Sequence, residues 1–173
     1  MSRESGRSKV RVLLCGERLR GDDAAALLAA ELLPDDVRAL AELVEVGQLA
    51  VESLLDIPDG TAAIVADAAI GVAEGEVVVL PLESVAARVG AGGGAARGDA
   101  ARGGRPVPAS SHSIPPDQVL ALAAELRGSL PRGVFVGIGG ARFGFGEELS
   151  PAVIAGLAAF AAALAGEIRR LAT

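Results

Sequence analysis

Short apolar runs rich in β-branched residues alternate along this chain with stretches of strong helix formers. Residues 10–15 (VRVLLC) are the first run, bounded by Gly16, and predict a buried strand. Residues 24–33 predict a helix stopped by Pro34. Residues 40–46 predict a second strand, and 48–55 a helix closed by the turn Ile57-Pro58-Asp59-Gly60. A third strand over 62–66 ends on Asp67, and a fourth covers 76–82. The link between these two is far shorter than the dozen or so residues a parallel crossover needs, so the fourth strand is expected to run antiparallel. Pro81 near its end suits a sheet edge. Pro115-Pro116 introduce a helix over 117–126, and residues 134–138 predict a fifth strand leading into a glycine-rich loop. Ser150 as N-cap and Pro151 at the first helical position open the last helix. The order predicts a three-layer α/β/α sandwich around a mostly parallel five-stranded sheet.

Residues 1–173 fit one domain with a real core, being 51% hydrophobic and 22% charged. Two segments break the pattern: a polar tail over 1–9, and a Gly, Ala, Arg and Pro stretch over 90–108 that reads as a flexible surface insertion. The net charge of −6 and the absence of Trp and Tyr argue against a nucleic-acid binder. The apolar C-terminal stretch reads as a core-packed helix rather than a membrane span. The tail lacks the apolar middle of a secretory signal, and one cysteine, Cys15, permits no internal disulfide, so the cytoplasm is the expected compartment.

Three polar sites stand out against this apolar background. Asp22-Asp23 follow the first strand, Asp67 ends the third, and the single histidine, His112, sits among Ser110, Ser111 and Ser113. Taken singly, each has a plain structural reading. The acidic pair caps the next helix and complements its dipole, Asp67 starts a turn, and His112 is a loop residue. Taken together, they are carboxylates and an imidazole at strand ends, where open α/β sheets place ligands. Oxygen and nitrogen donors with open positions suit a borderline divalent ion such as nickel or zinc. A closed structural zinc site, which relies on cysteines, is not expected of a chain with one. Cys15, inside the first strand, reads as a small buried hydrophobe. Neither Ser110 nor Ser111 lies in a nucleophile elbow. Gly137-Ile138-Gly139-Gly140 lacks both the P-loop lysine and the dinucleotide-binding spacing.

These motifs resemble the hydrogenase maturation proteases, endopeptidases that trim the C-terminal extension of nickel-iron hydrogenase large subunits after nickel insertion. The family's first motif, a strand and then G-N-x-L-x-x-D followed by D or E, is matched in register by Gly16-Glu17-Arg18-Leu19-Arg20-Gly21-Asp22-Asp23. An Asp ending the third strand matches Asp67, a Ser-His segment before a helix matches Ser111-His112, and the L-S/T-P-x-V helix start matches residues 149–153. The resemblance implies the phosphorylase/hydrolase-like fold with an antiparallel fourth strand. It implies Asp23, Asp67 and His112 as the metal-engaging set, with Asp23 and Asp67 as the catalytic carboxylates of an aspartic-type, metal-dependent endopeptidase. The nickel would arrive in the large-subunit precursor, the expected partner, with zinc or another divalent ion as a substitute. Glu17 stands where the family has Asn, and Ala24-Ala25-Ala26 where it commonly has a glycine-containing triplet. Both departures favour an alternative: a non-catalytic metal-sensing or chaperone-like partner of a metalloenzyme subunit. An unrelated hydrolase on the same fold is a third reading.

Overall fold

The computed structural model describes residues 9–91 and 114–173, without the side chains of residues 90 and 91. The expected tail over 1–9 and insertion over 90–108 therefore lie, apart from Lys9 and residues 90–91, outside the described residues. The strands are β1 (Val10–Cys15), β2 (Ala41–Gly47), β3 (Ala63–Glu74), β4 (Val77–Pro81) and β5 (Gly133–Gly139). They form one sheet in the order β2-β1-β3-β5-β4. Every pairing is parallel except β4 against β5, and β4 with Pro81 lies at the edge.

The period-2 alternation of the strands divides the core into two layers. Val12, Leu14, Ile64, Ala66, Val136 and Ile138 face one way. They pack against α1 (Ala25–Glu31), α2 (Asp35–Arg38) and α7 (Pro151–Leu171). Leu13, Cys15, Ala63, Val65 and Phe135 face the other way, toward α3 (Val51–Leu55), α4 (Leu82–Ala86) and α6 (Pro116–Arg127). The short α5 (Arg88–Ala91) follows α4. By composition α7 is long and apolar enough to cross a bilayer. In the fold its Phe160, Leu164 and Ile168 are fully buried against the sheet, as expected of a core helix. Its N-cap is Ser150, whose Oγ accepts the Val153 N–H at 3.4 Å.

The third strand departs from the sequence reading. It does not stop at Asp67 but continues to Glu74, pairing with β5 through Ala69 and again at Glu74. Between those points it arches over the end of β5, which carries the chain across to the far edge where β4 begins. Gly139 makes the crossing possible. Its N–H donates to the Glu76 carbonyl, and its own carbonyl accepts the Gly75 N–H, both at 2.8 Å. A Cβ on Gly139 would lie 2.0 Å from the Ala73 carbonyl oxygen.

Candidate active site

The loops that leave β1 and β5 are laced together at the C-terminal edge of the sheet. The Asp22 N–H donates to the Arg142 carbonyl at 2.7 Å, the Gly146 N–H to Leu19 at 2.7 Å, and the Gly21 N–H to Glu147 at 3.1 Å. The Asp22 carboxylate completes the seam. Its Oδ2 accepts the N–H groups of Ala141 (2.8 Å) and Arg142 (2.9 Å), and its Oδ1 that of Ser150 (2.7 Å). Burial opposes ionisation of Asp22, but these backbone donors outweigh it and hold its carboxyl below the ordinary range. The expectation that the acidic pair caps the following helix is thus corrected. Asp22 and Asp23 lie inside a 3-10 turn, Gly21–Ala24, and neither that turn nor α1 has a side-chain cap. The Asp22 side chain turns across the molecule to β5 and α7 instead.

Asp23 faces inward and is 1% exposed. Its Oδ2 accepts the Glu17 N–H at 3.0 Å, and its backbone presses on Gly16, where a Cβ would lie 1.8 Å from the Asp23 carbonyl oxygen. Glu17 therefore serves the site through its main chain while its side chain is exposed, so the change from Asn leaves this contact in place. The three alanines that follow Asp23 are buried in the core.

Asp67 is also 1% exposed, on the sheet face of Val65 and Cys15. Its Oδ1 is buried with no hydrogen-bond partner among the described residues. Burial, reinforced by the charge of Asp23, pushes its carboxyl well above the ordinary carboxylate range against the pull of the Ala68 N–H. The same surroundings reach Cys15. Burial first, then the fields of Asp67 and Asp23, push its thiol well up, which keeps it protonated and unreactive. Cys15, Asp23 and Asp67 thus share one buried electrostatic neighbourhood, which reading the strands singly did not reveal. The available signal was register: Leu14 pairs with Ala66, one residue before Cys15 and Asp67.

Burying Asp67 close to the charge of Asp23 is costly, and a cation at this site would offset that cost. A divalent ion fits this donor set of hard oxygens, one of which no donor among the described residues uses. Among the described residues no set of three His, Cys, Asp or Glu side chains is placed to hold a metal ion. The third expected ligand, His112, lies outside the described residues. The described chain resumes at Ile114, just ahead of α6, on the sheet face that carries Asp67.

No protein-family model and no curated protein sequence matches this chain. Solved structures do. The hydrogenase maturating endopeptidase HybD from E. coli superposes with a TM-score of 0.65 at 21% identity, over 94% of this chain and 93% of that one. The NiFe hydrogenase maturation protease HybD from Thermococcus kodakarensis gives a TM-score of 0.65 at 22% identity, over 95% and 99%. A maturation protease HycI from the same archaeon gives 0.56 at 23%, over 95% of each chain. At these identities the likeness is one of fold: a five-stranded mixed sheet with one antiparallel pair and helices on both faces.

Proposed function

We propose that this chain is an endopeptidase of hydrogenase maturation that removes the C-terminal extension of a nickel-iron hydrogenase large-subunit precursor and recognises the nickel the precursor carries. The observation that carries this reading is the buried Asp67 carboxyl, with one oxygen unpartnered among the described residues, in the field of the Asp23 carboxylate. Such a pair is costly to bury and is suited to meet a cation delivered by a substrate. The fold shared with maturation endopeptidases supports the same reading.

In this proposal Asp23, Asp67 and His112 engage the nickel, and the two aspartates are the catalytic carboxylates. The ion these residues would hold would supply polarisation of a neighbouring carbonyl and a lowered pKa for a bound water. Asp22 locks the loop that carries Asp23, and the Glu17 N–H orients the Asp23 carboxylate. Zinc or another divalent ion substitutes for nickel in vitro, and the site of action is the cytoplasm.

The test is incubation of the purified protein with nickel-loaded and nickel-free precursor, followed by intact-mass measurement. Loss of the C-terminal peptide from the loaded form alone is expected, and Asp23→Asn, Asp67→Asn and His112→Ala are each expected to abolish it. Stable binding of loaded precursor without loss of the peptide would instead establish the non-catalytic, chaperone-like reading.

A further inference from the structure

On the sheet face that carries Asp67, α3 and α6 flank a groove of about 690 Å³, within the range of ligand-binding pockets. Each helix presents it with an apolar stripe at i, i+4 spacing: Val51 and Leu55 from α3, Leu122 and Leu126 from α6. Ile114 adds to the wall. Leu55, Ile114, Leu122 and Leu126 are 40%, 51%, 47% and 63% exposed, a clustered apolar surface of the kind that marks a binding site. Glu52 is the only charged lining residue and makes no ion pair among the described residues. The walls are fixed in place, because Arg127 at the end of α6 donates to the carbonyls of Leu54, Leu55 and Ile57 and pairs with Asp59.

Both helices start at the edge of the sheet where the parallel strands finish, so the groove begins at the same edge as the acidic site. Gln48, on its wall, directly follows Gly47, whose carbonyl accepts the Gly16 N–H at 2.6 Å. Gly16 in turn packs on Asp23. The chain's own residues 92–113 are a poor filling. Apart from alanine, their only apolar side chains are Val107 and the two prolines beside it. A trough between two helices also offers far less than the roughly 800 Å² per partner of a standard stable interface.

We infer that the α3–α6 groove seats an apolar stretch of the precursor's C-terminal extension, with a basic residue of the extension beside Glu52. This rests on the processing role proposed above and adds to it the surface that reads the segment to be removed.

The experiment compares affinity for nickel-loaded precursor with affinity for the processed subunit that lacks the extension. The wild type is expected to bind the precursor more tightly. Leu122→Glu with Leu126→Glu, both at exposed positions, is expected to weaken precursor binding at least tenfold and to change binding of the processed subunit less than twofold. Glu52→Lys, which leaves the apolar walls intact, should weaken precursor binding severalfold and serves if the double variant fails to fold. Equal losses for both ligands would place the body of the subunit in the groove, and no loss for either would leave the groove out of recognition. A wild-type dimer that the double variant converts to monomer would assign the groove to a second copy. Tighter precursor binding after deletion of residues 92–108 would assign it to that segment. If the wild type neither binds nor trims the precursor, the processing role itself has failed. If it trims and every groove variant trims and binds equally well, only the groove assignment has.

Discussion

Asp22 and Ser150, 128 residues apart, are joined by a 2.7 Å hydrogen bond from the Ser150 N–H to Asp22 Oδ1, with no solvent access to the carboxylate. The same side chain accepts from Ala141 and Arg142, so one carboxylate satisfies three backbone donors of the β5–α7 loop. Asp22→Ala leaves those donors buried without an acceptor. The expected cost is about 3 kcal/mol, or roughly 10 °C in Tm for a chain of this size. Asp22→Asn keeps one acceptor oxygen and should cost less. Because folding lowers this carboxyl's pKa, its contribution is present above the unfolded carboxylate range and lost as pH falls through the folded value. The Tm gap between wild type and Asp22→Ala should therefore narrow in acid.

Asp67 has the opposite sign. Folding raises its pKa, so the protonated form is favoured. The penalty for holding it buried is absent below the unfolded carboxylate range and grows as pH rises toward the folded value. Asp67→Asn, which replaces the ionisable carboxyl facing Asp23 with a neutral amide, is expected to raise stability by about 1 kcal/mol at neutral pH while abolishing processing, the trade-off typical of a strained functional site. Urea denaturation at pH 5 and pH 8 checks this: the gain should be larger at pH 8, and a variant less stable than wild type at both would refute it.

These two aspartates also mark where the sequence is legible and where it is not. The sheet is readable because each strand is a β-branched run. The antiparallel β4 is readable because residues 68–75, the link the sequence shows between the third and fourth runs, are too few for a crossover. The true end of β3 is not, because a buried carboxylate looks like a strand terminator, and only the arch over Gly139 shows why the pairing resumes. Asp22 reads as a helix cap because its actual partners are 119 to 128 residues downstream and no local pattern points to them. The convergence of Asp23 and Asp67 follows from parallel strand order, whereas the burial that perturbs Asp67 is a tertiary property. The groove between α3 and α6 is likewise invisible in sequence, since Leu122 and Leu126 look like ordinary core positions of an amphipathic helix.

Gly139 and Gly166 should respond oppositely to the same change. An added methyl at Gly139 meets the Ala73 carbonyl at 2.0 Å and has backbone on every approach, so Gly139→Ala is expected to cost more than about 4 kcal/mol or to yield insoluble protein. At Gly166, on the exposed side of α7, nothing lies within 4 Å of the added carbon. Gly166→Ala should stabilise the helix by about 0.8 kcal/mol. Equal melting temperatures for the two variants would remove the arch over β5 as a structural constraint.

If the acidic pair holds a cation, as proposed, the binding should depend on pH in a way a merely structural pair would not show. A divalent ion that binds the folded state alone raises its stability by RT ln(1 + [L]/Kd). At 100 times Kd this is about 2.7 kcal/mol, which in a chain of this length corresponds to roughly 8 °C. Nickel or zinc added to the wild type should therefore raise Tm. Protons compete with the ion at Asp67, whose carboxyl is held well above the ordinary range, so the metal-induced rise should grow as pH increases and shrink in acid. Asp23→Asn and Asp67→Asn should each abolish the rise, and His112→Ala should reduce it if the imidazole completes the set. A rise that persists unchanged in both aspartate variants would place the bound metal elsewhere and separate the buried acidic pair from metal recognition.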